Sequence, residues 1–152
     1  MIRCIEVLLA IPDNEAHTAL ATLQRLGVAL DALERSDLYR CEVEPAEVER
    51  LVESLRGFET IFNPNKHVLR VREGEGPGAG EVWVDECGNG GDAASGVTAR
   101  VAGRALPGVR SLERFTAWRL FAEPGVPAGP DVVRVATDTL LCNPAFQKAT
   151  TA

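Results

Sequence analysis

A chain of 152 residues, 45% of them apolar, can bury one respectable core or two thin ones. Its 22 acidic side chains outnumber 16 Lys and Arg, and the formal net charge of −6 argues against a nucleic-acid partner, which needs clustered Lys and Arg. No apolar run approaches the roughly 20 residues of a membrane span, and the N-terminus lacks the basic start and long apolar stretch of a signal peptide, so a cytoplasmic protein with no membrane partner is expected.

Ile2 to Ile11 is apolar and rich in β-branched residues, interrupted by Arg3 and Glu6, and reads as a strand. Pro12-Asp13-Asn14 ends it and supplies a side-chain cap for a helix, with Glu15 in the first turn. Ala16, Leu20, Leu23 and Leu26 recur at helical spacing, and Gly27 is the natural stop. Val28 to Arg35 reads as a strand, Ser36-Asp37 as a tight turn, and Leu38 to Glu44 as its hairpin partner. Pro45 opens a second helix with Val48, Leu51, Val52 and Leu55 inward, and Gly57 ends it. His67 to Arg72 is a closing strand, which completes a β-α-β-β-α-β order.

The Gly-rich, acidic stretch Glu73 to Gly80 follows as a flexible linker. Glu81 to Asp85 is again strand-like, and Asp92 can cap a helix whose inner face is Ala94, Val97, Val101 and Ala105. Val109 to Phe115 and Ala117 to Glu123 form a second hairpin, and 125–129 a loop. Pro130-Asp131 starts a helix with Val132, Val133, Ala136 and Leu140 inward, and Ala145 to Thr150 is the last strand.

This second series repeats the first. Ser111 to Pro124 follows Ala32 to Pro45 at a distance of 79 residues, and six of fourteen positions are identical. They are Leu33/Leu112, Glu34/Glu113, Arg35/Arg114, Arg40/Arg119, Glu44/Glu123 and Pro45/Pro124. Tyr39 matches Trp118, and each copy ends on an Asn-Pro pair, Asn63-Pro64 and Asn143-Pro144. Two copies are too few for a solenoid, so the expected architecture is α+β, two ferredoxin-like units in tandem with helices on one face of antiparallel sheets. Their bounds are 1–73 and 81–152, with a linker at 74–80. Units of roughly 70 residues are near the lower limit of independent stability, so the halves are expected to pack on each other or on further copies.

Few residues point to chemistry. Cys4, Cys41, Cys87 and Cys142 are scattered without paired spacing and read as small buried thiols, so no metal site is expected. Gly88 to Asp92 lacks the Walker and Rossmann registers and reads as a loop. Ser36, Ser54, Ser95 and Ser111 have no nucleophile elbow, and His17 and His67 are the only histidines available as bases, so no catalytic residue is assigned. Glu34, Arg35, Glu113 and Arg114 are candidate partner contacts because they recur and because Arg bonds carboxylate or phosphate bidentately. Tyr39 and Trp118 read as sheet-face packing or as aromatic interface anchors. Asn63, Pro64, Asn143 and Pro144 read as structural, since Pro disfavours helix at the Asn before it.

A helix ending in Leu26-Gly27, a hairpin with Arg at its turn, and an amphipathic helix closing on Leu140-Leu141-Cys142-Asn143-Pro144 make the chain resemble the PurS small subunit of phosphoribosylformylglycinamidine synthase. The first copy keeps Ile61-Phe62-Asn63-Pro64 of that signature. The resemblance covers nearly the whole chain outside the linker, as two diverged copies rather than one. It implies a non-catalytic adaptor in de novo purine biosynthesis that bridges a large synthetase subunit and a glutaminase subunit. The family's small subunit also self-associates through a continuous sheet, so a homo-oligomer is implied. No cofactor is implied for this chain; ATP and Mg belong to the synthetase subunit. The competing expectations are a ferredoxin-like regulatory module that binds a small molecule between subunits, and an enzyme using Arg35/Arg114 and Arg40/Arg119 on a sheet face.

Overall fold

The computed structural model describes residues 2–57, 61–86 and 109–152. Strand β1 (Ile2–Leu9) leads into helix α1 (Asn14–Arg25). The Asp13 carboxylate accepts from the Glu15 and Ala16 N–H groups and so caps the orphan donors of the first turn. At the other end Gly27 takes φ +89°, Val28 N–H donates to Leu23 and Gly27 N–H to Gln24, which is the bond pair of a Schellman stop.

Strand β2 (Ala32–Val43) overturns the first expected hairpin. Ser36 and Asp37 lie within one continuous strand, paired on one side with Leu8 and Val7 of β1. The same holds for β5 (Val109–Glu123), in which Thr116 interrupts nothing. Ser-Asp is turn chemistry only where the flanking segments have each other to pair with; here each segment has a better partner in the other copy.

A 3₁₀ turn (Pro45–Glu47) opens α2 (Val48–Arg56), which buries Leu51 and Leu55. Strands β3 (His67–Arg72) and β4 (Glu81–Glu86) follow, then β5, a short β6 (Val126–Pro127) folded back on β5, and helix α3 (Pro130–Ala136). A π-helical turn (Thr137–Leu141) extends α3 and shifts its inner face by one residue. Leu141 is therefore buried, and Leu140, expected inward, is exposed. Strand β7 (Gln147–Thr151) closes the chain. The expected helix from Asp92, the Gly88 to Asp92 loop, Cys87 and Ser95 lie outside the described residues.

The protein is α+β, with one antiparallel sheet in the order β3-β1-β2-β5-β4-β7 and β6 paired to β5. Each copy contributes three of the six ordered strands, and β2 joins β5 antiparallel at the centre. Side chains alternate across this sheet. One face carries two cores beneath the described helices. Ile5, Val7, Tyr39, Cys41, Val43 and Leu112 pack with Leu51 and Leu55 of α2. Leu33, Val82, Val84, Trp118 and Leu120 pack with Val133 and Ala136 of α3 and, notably, with Ala16 and Leu23 of α1. The helix of the first copy thus packs in a core that both copies share. The opposite face holds a smaller cluster of Cys4, Leu38, Trp83, Phe115 and Ala117.

Candidate functional site at the seam of the two copies

The recurrent residues meet one another. The β2–β5 register places Glu34 opposite Arg119 and Arg40 opposite Glu113, and Arg35 opposite Trp118 and Tyr39 opposite Arg114. Asp37 faces Thr116, its own counterpart at the 79-residue offset, so a local two-fold axis passes between them. Arg40 Nε donates to Glu113 at 2.7 Å, while Arg119 lies 3.9 Å from Glu34. Four of the six identities, Leu33/Leu112, Glu34/Glu113, Arg35/Arg114 and Arg40/Arg119, therefore belong to one self-complementary seam, and Glu44/Glu123 and Pro45/Pro124 lie beyond its register.

The six candidate contact residues sort by strand parity. Tyr39 and Trp118 are buried on the helix-covered face, and burial pushes the Tyr39 phenol up to about 12, against the pull of Arg114. Arg35 shares that face and grips the start of α1: Nε donates to Asp13 at 3.1 Å, Nη2 to the other Asp13 oxygen at 3.2 Å, and Nη1 to Glu15. Its guanidinium also lies 5.9 Å from the Trp118 ring centre. Arg114 donates to Asp37 at 3.3 Å. Glu34 and Glu113 sit half in water on the opposite face.

The Asn-Pro pairs build the same turn twice. Asn63 Oδ1 accepts from Asn65 N–H, and Asn63 N–H donates to the His67 ring. Asn143 Oδ1 accepts from Ala145 N–H, and Asn143 N–H donates to Gln147 Oε1. Each turn launches the last strand of its copy.

A buried charge cluster escaped the sequence reading. Glu6 is 0% exposed on the face away from the helices, with three arginines around it. Arg70 Nε donates to one oxygen at 2.9 Å, Arg72 Nη1 to the other at 2.8 Å, and Arg119 Nη2 to that same oxygen. Glu81, also buried, receives Arg72 Nη2 at 2.9 Å, Arg119 Nε at 2.8 Å and Gly78 N–H at 3.0 Å. Burial alone would raise both carboxyls, but the guanidinium bonds outweigh it. Glu6 is held below its ordinary value and Glu81 at about 2. Strands β3 and β4 are separated by β1, β2 and β5, so the Arg72–Glu81 bond requires the sheet to curl round this face. The available signal was Glu6 itself, a lone acid within an apolar strand.

Cavities open beside this seam. One of about 200 Å³ lies on the first copy's side of the local two-fold, where Asp13, Arg35, Asp37 and His67 surround it and Arg114 is the one lining residue from the second copy. A larger cleft of about 730 Å³ runs from the 11–14 loop and α1 to the start of β2, where Glu34, Arg35, Arg70 and Arg119 reach it. Among the described residues no group of three His, Cys, Asp or Glu side chains is placed to hold a metal ion, and no helix is long and apolar enough to cross a membrane. Compared with known proteins, the chain matches no family model and no curated protein.

Proposed function

We propose that this chain is a non-catalytic small subunit, or a relative of one, of the ATP- and glutamine-dependent phosphoribosylformylglycinamidine synthase of purine biosynthesis. It is a fused tandem of two PurS-like units whose ferredoxin-like hairpins have opened into the long strands β2 and β5. The observation that carries the reading is the two-fold seam. A module that self-associates edge to edge becomes, when fused, a single sheet joined by antiparallel copies of the same strand, as β2 and β5 are joined. Covalent linkage supplies the second module at an effective concentration on the order of mM, and the β2 edge of one copy is paired off by β5 of the other. Leu140 to Pro144 and Ile61 to Pro64 add the sequence signature.

On this reading the large synthetase subunit binds ATP and Mg and performs the amidation, the glutaminase subunit supplies ammonia, and this chain bridges them in the cytoplasm, in a homo-oligomer or as the fused pair alone. Arg35 and Arg114 are engaged at the seam and its neighbouring loop, while Glu34 and Glu113 stay half in water and remain candidate partner contacts. A cleft of about 630 Å³ between α1 of the first copy and Val84, Thr116, Trp118 and Leu141 of the second favours the second reading, a regulatory module that takes a small molecule between units.

Mixing the chain with the synthetase and glutaminase subunits, glutamine and Mg-ADP, and reading the mass by light scattering, separates the two. A ternary complex that requires this chain, with restored glutamine-dependent amidation, is the expected result. Unchanged masses under every nucleotide condition would reject the adaptor.

A further inference from the structure

The 730 Å³ cleft is lined by both apolar and charged side chains. Leu9, Ile11, Ala16, Leu20 and Leu33 supply apolar surface, and Arg70 and Arg119 stand among its charged residues with Asp13, Glu34 and Arg35. Both arginines are fixed by the same buried carboxylate, Arg70 on one Glu6 oxygen and Arg119 on the other. Three guanidinium groups (Arg70, Arg72 and Arg119) stand against the two buried carboxylates Glu6 and Glu81, and the charge left over is met only by the exposed Glu34. Among the described residues Nη1 of Arg70 has no carboxylate partner, and Nη1 of Arg119 has only Glu34 at 3.9 Å, beyond hydrogen-bond reach. Arg70 is half exposed and Glu34 more so.

Guanidinium groups held on one carboxylate, with donors left over and aliphatic side chains lining the same cleft, match a tetrahedral dianion attached to an apolar body. The volume lies within the range of small-molecule sites, about 300–1,000 Å³. We propose that this cleft binds a small organic phosphomonoester, its phosphate on Arg70 and Arg119 and its apolar or aromatic portion against Leu20, Leu33 and Ile11. Glu34 is the competing anion, which swings out to water when the phosphate enters. The inference is independent of the adaptor reading, because binding needs no partner subunit, and each can fail without the other.

Phenyl phosphate is the probe, titrated calorimetrically into the full chain, with inorganic phosphate and phenol as partial ligands. The phenyl ester binds at least about tenfold more tightly than either, since each part supplies on the order of 1.4 kcal/mol or more. Arg70→Gln, on a half-exposed side chain of an edge strand, weakens it about tenfold, the worth of one charge-assisted hydrogen bond. Glu34→Gln tightens it about threefold by removing a weak surface pair. Circular dichroism and the unfolding midpoint of both variants verify the fold. The proposal is overturned by no saturable binding of phenyl phosphate up to about 10 mM, by inorganic phosphate binding equally well, or by unchanged affinity in folded Arg70→Gln.

Discussion

Glu81 sits beside Arg72, Arg119 and the Gly78 N–H, and these contacts hold its carboxyl at about 2 instead of the ordinary 4.5. A carboxyl lowered on folding stabilises the native state above its unfolded value, and that contribution is lost as the pH falls through the folded one. Wild-type protein should therefore lose stability progressively as the pH falls below 4.5 toward about 2. Glu81→Gln leaves two partly buried guanidinium groups short of a partner and should cost about 3 kcal/mol at pH 7, the low end of what breaking a buried pair costs. Its deficit should shrink at acid pH, where the wild type loses the same advantage; urea midpoints from pH 7 to pH 3 check this. A constant deficit would mean that Glu81 acts by packing and not by charge. The cluster was hardly legible in the sequence, because Glu6, Arg70, Arg72, Glu81 and Arg119 come from four strands and only the sheet order brings them together. Glu34 and Arg35 are adjacent in sequence and both candidate partner contacts, yet strand alternation sends them to opposite faces.

Local signals governed the elements with local causes. Asp13 caps α1, Gly27 stops it, Pro45 precedes α2, and β3 begins at His67 as expected, since each depends on neighbours within a few residues. The hairpins failed because a turn is chosen by competition between pairings, and the winning partner of β2 lies in the other copy. The inward residue of α3 slipped from Leu140 to Leu141 because a π turn breaks the 3.6-residue period on which the reading relied. Gly80 shows that the linker ends as a fixed joint. Its φ is +73°, its carbonyl accepts from Leu120 N–H at 2.8 Å, and a Cβ there would stand 2.8 Å from the Leu120 oxygen and 2.9 Å from Pro127 Cβ. Gly80→Ala combines a left-handed backbone with overpacking and should destabilise by about 2–4 kcal/mol. Gly76→Ala, where nothing lies within 4 Å, should change the urea midpoint little. Equal effects at the two sites would refute the pinned joint.

At the scale of the molecule the copies are not independent. Helix α1 comes from the first copy, and its Ala16 and Leu23 lie against Val82, Val84, Trp118 and Leu120 of the second. A fragment of residues 1–80 would expose that face and the β2 edge together, so it should show no cooperative transition of its own. Mixing it with residues 81–152 should restore one, followed by far-UV circular dichroism, and calorimetry of the intact chain should give a single transition. Two separate transitions would contradict the shared core. The sequence by itself determined the α+β class, the two-fold repetition, the ends of α1 and the Asn-Pro turns, because composition, periodicity and capping act over a few residues. Only the tertiary structure decided that the repeated Glu and Arg residues face each other, that α1 crosses to the other copy, and that a glutamate and three arginines share one buried site. Those outcomes depend on which distant strands pair and in what register, and pairing energy is settled between segments far apart in the chain.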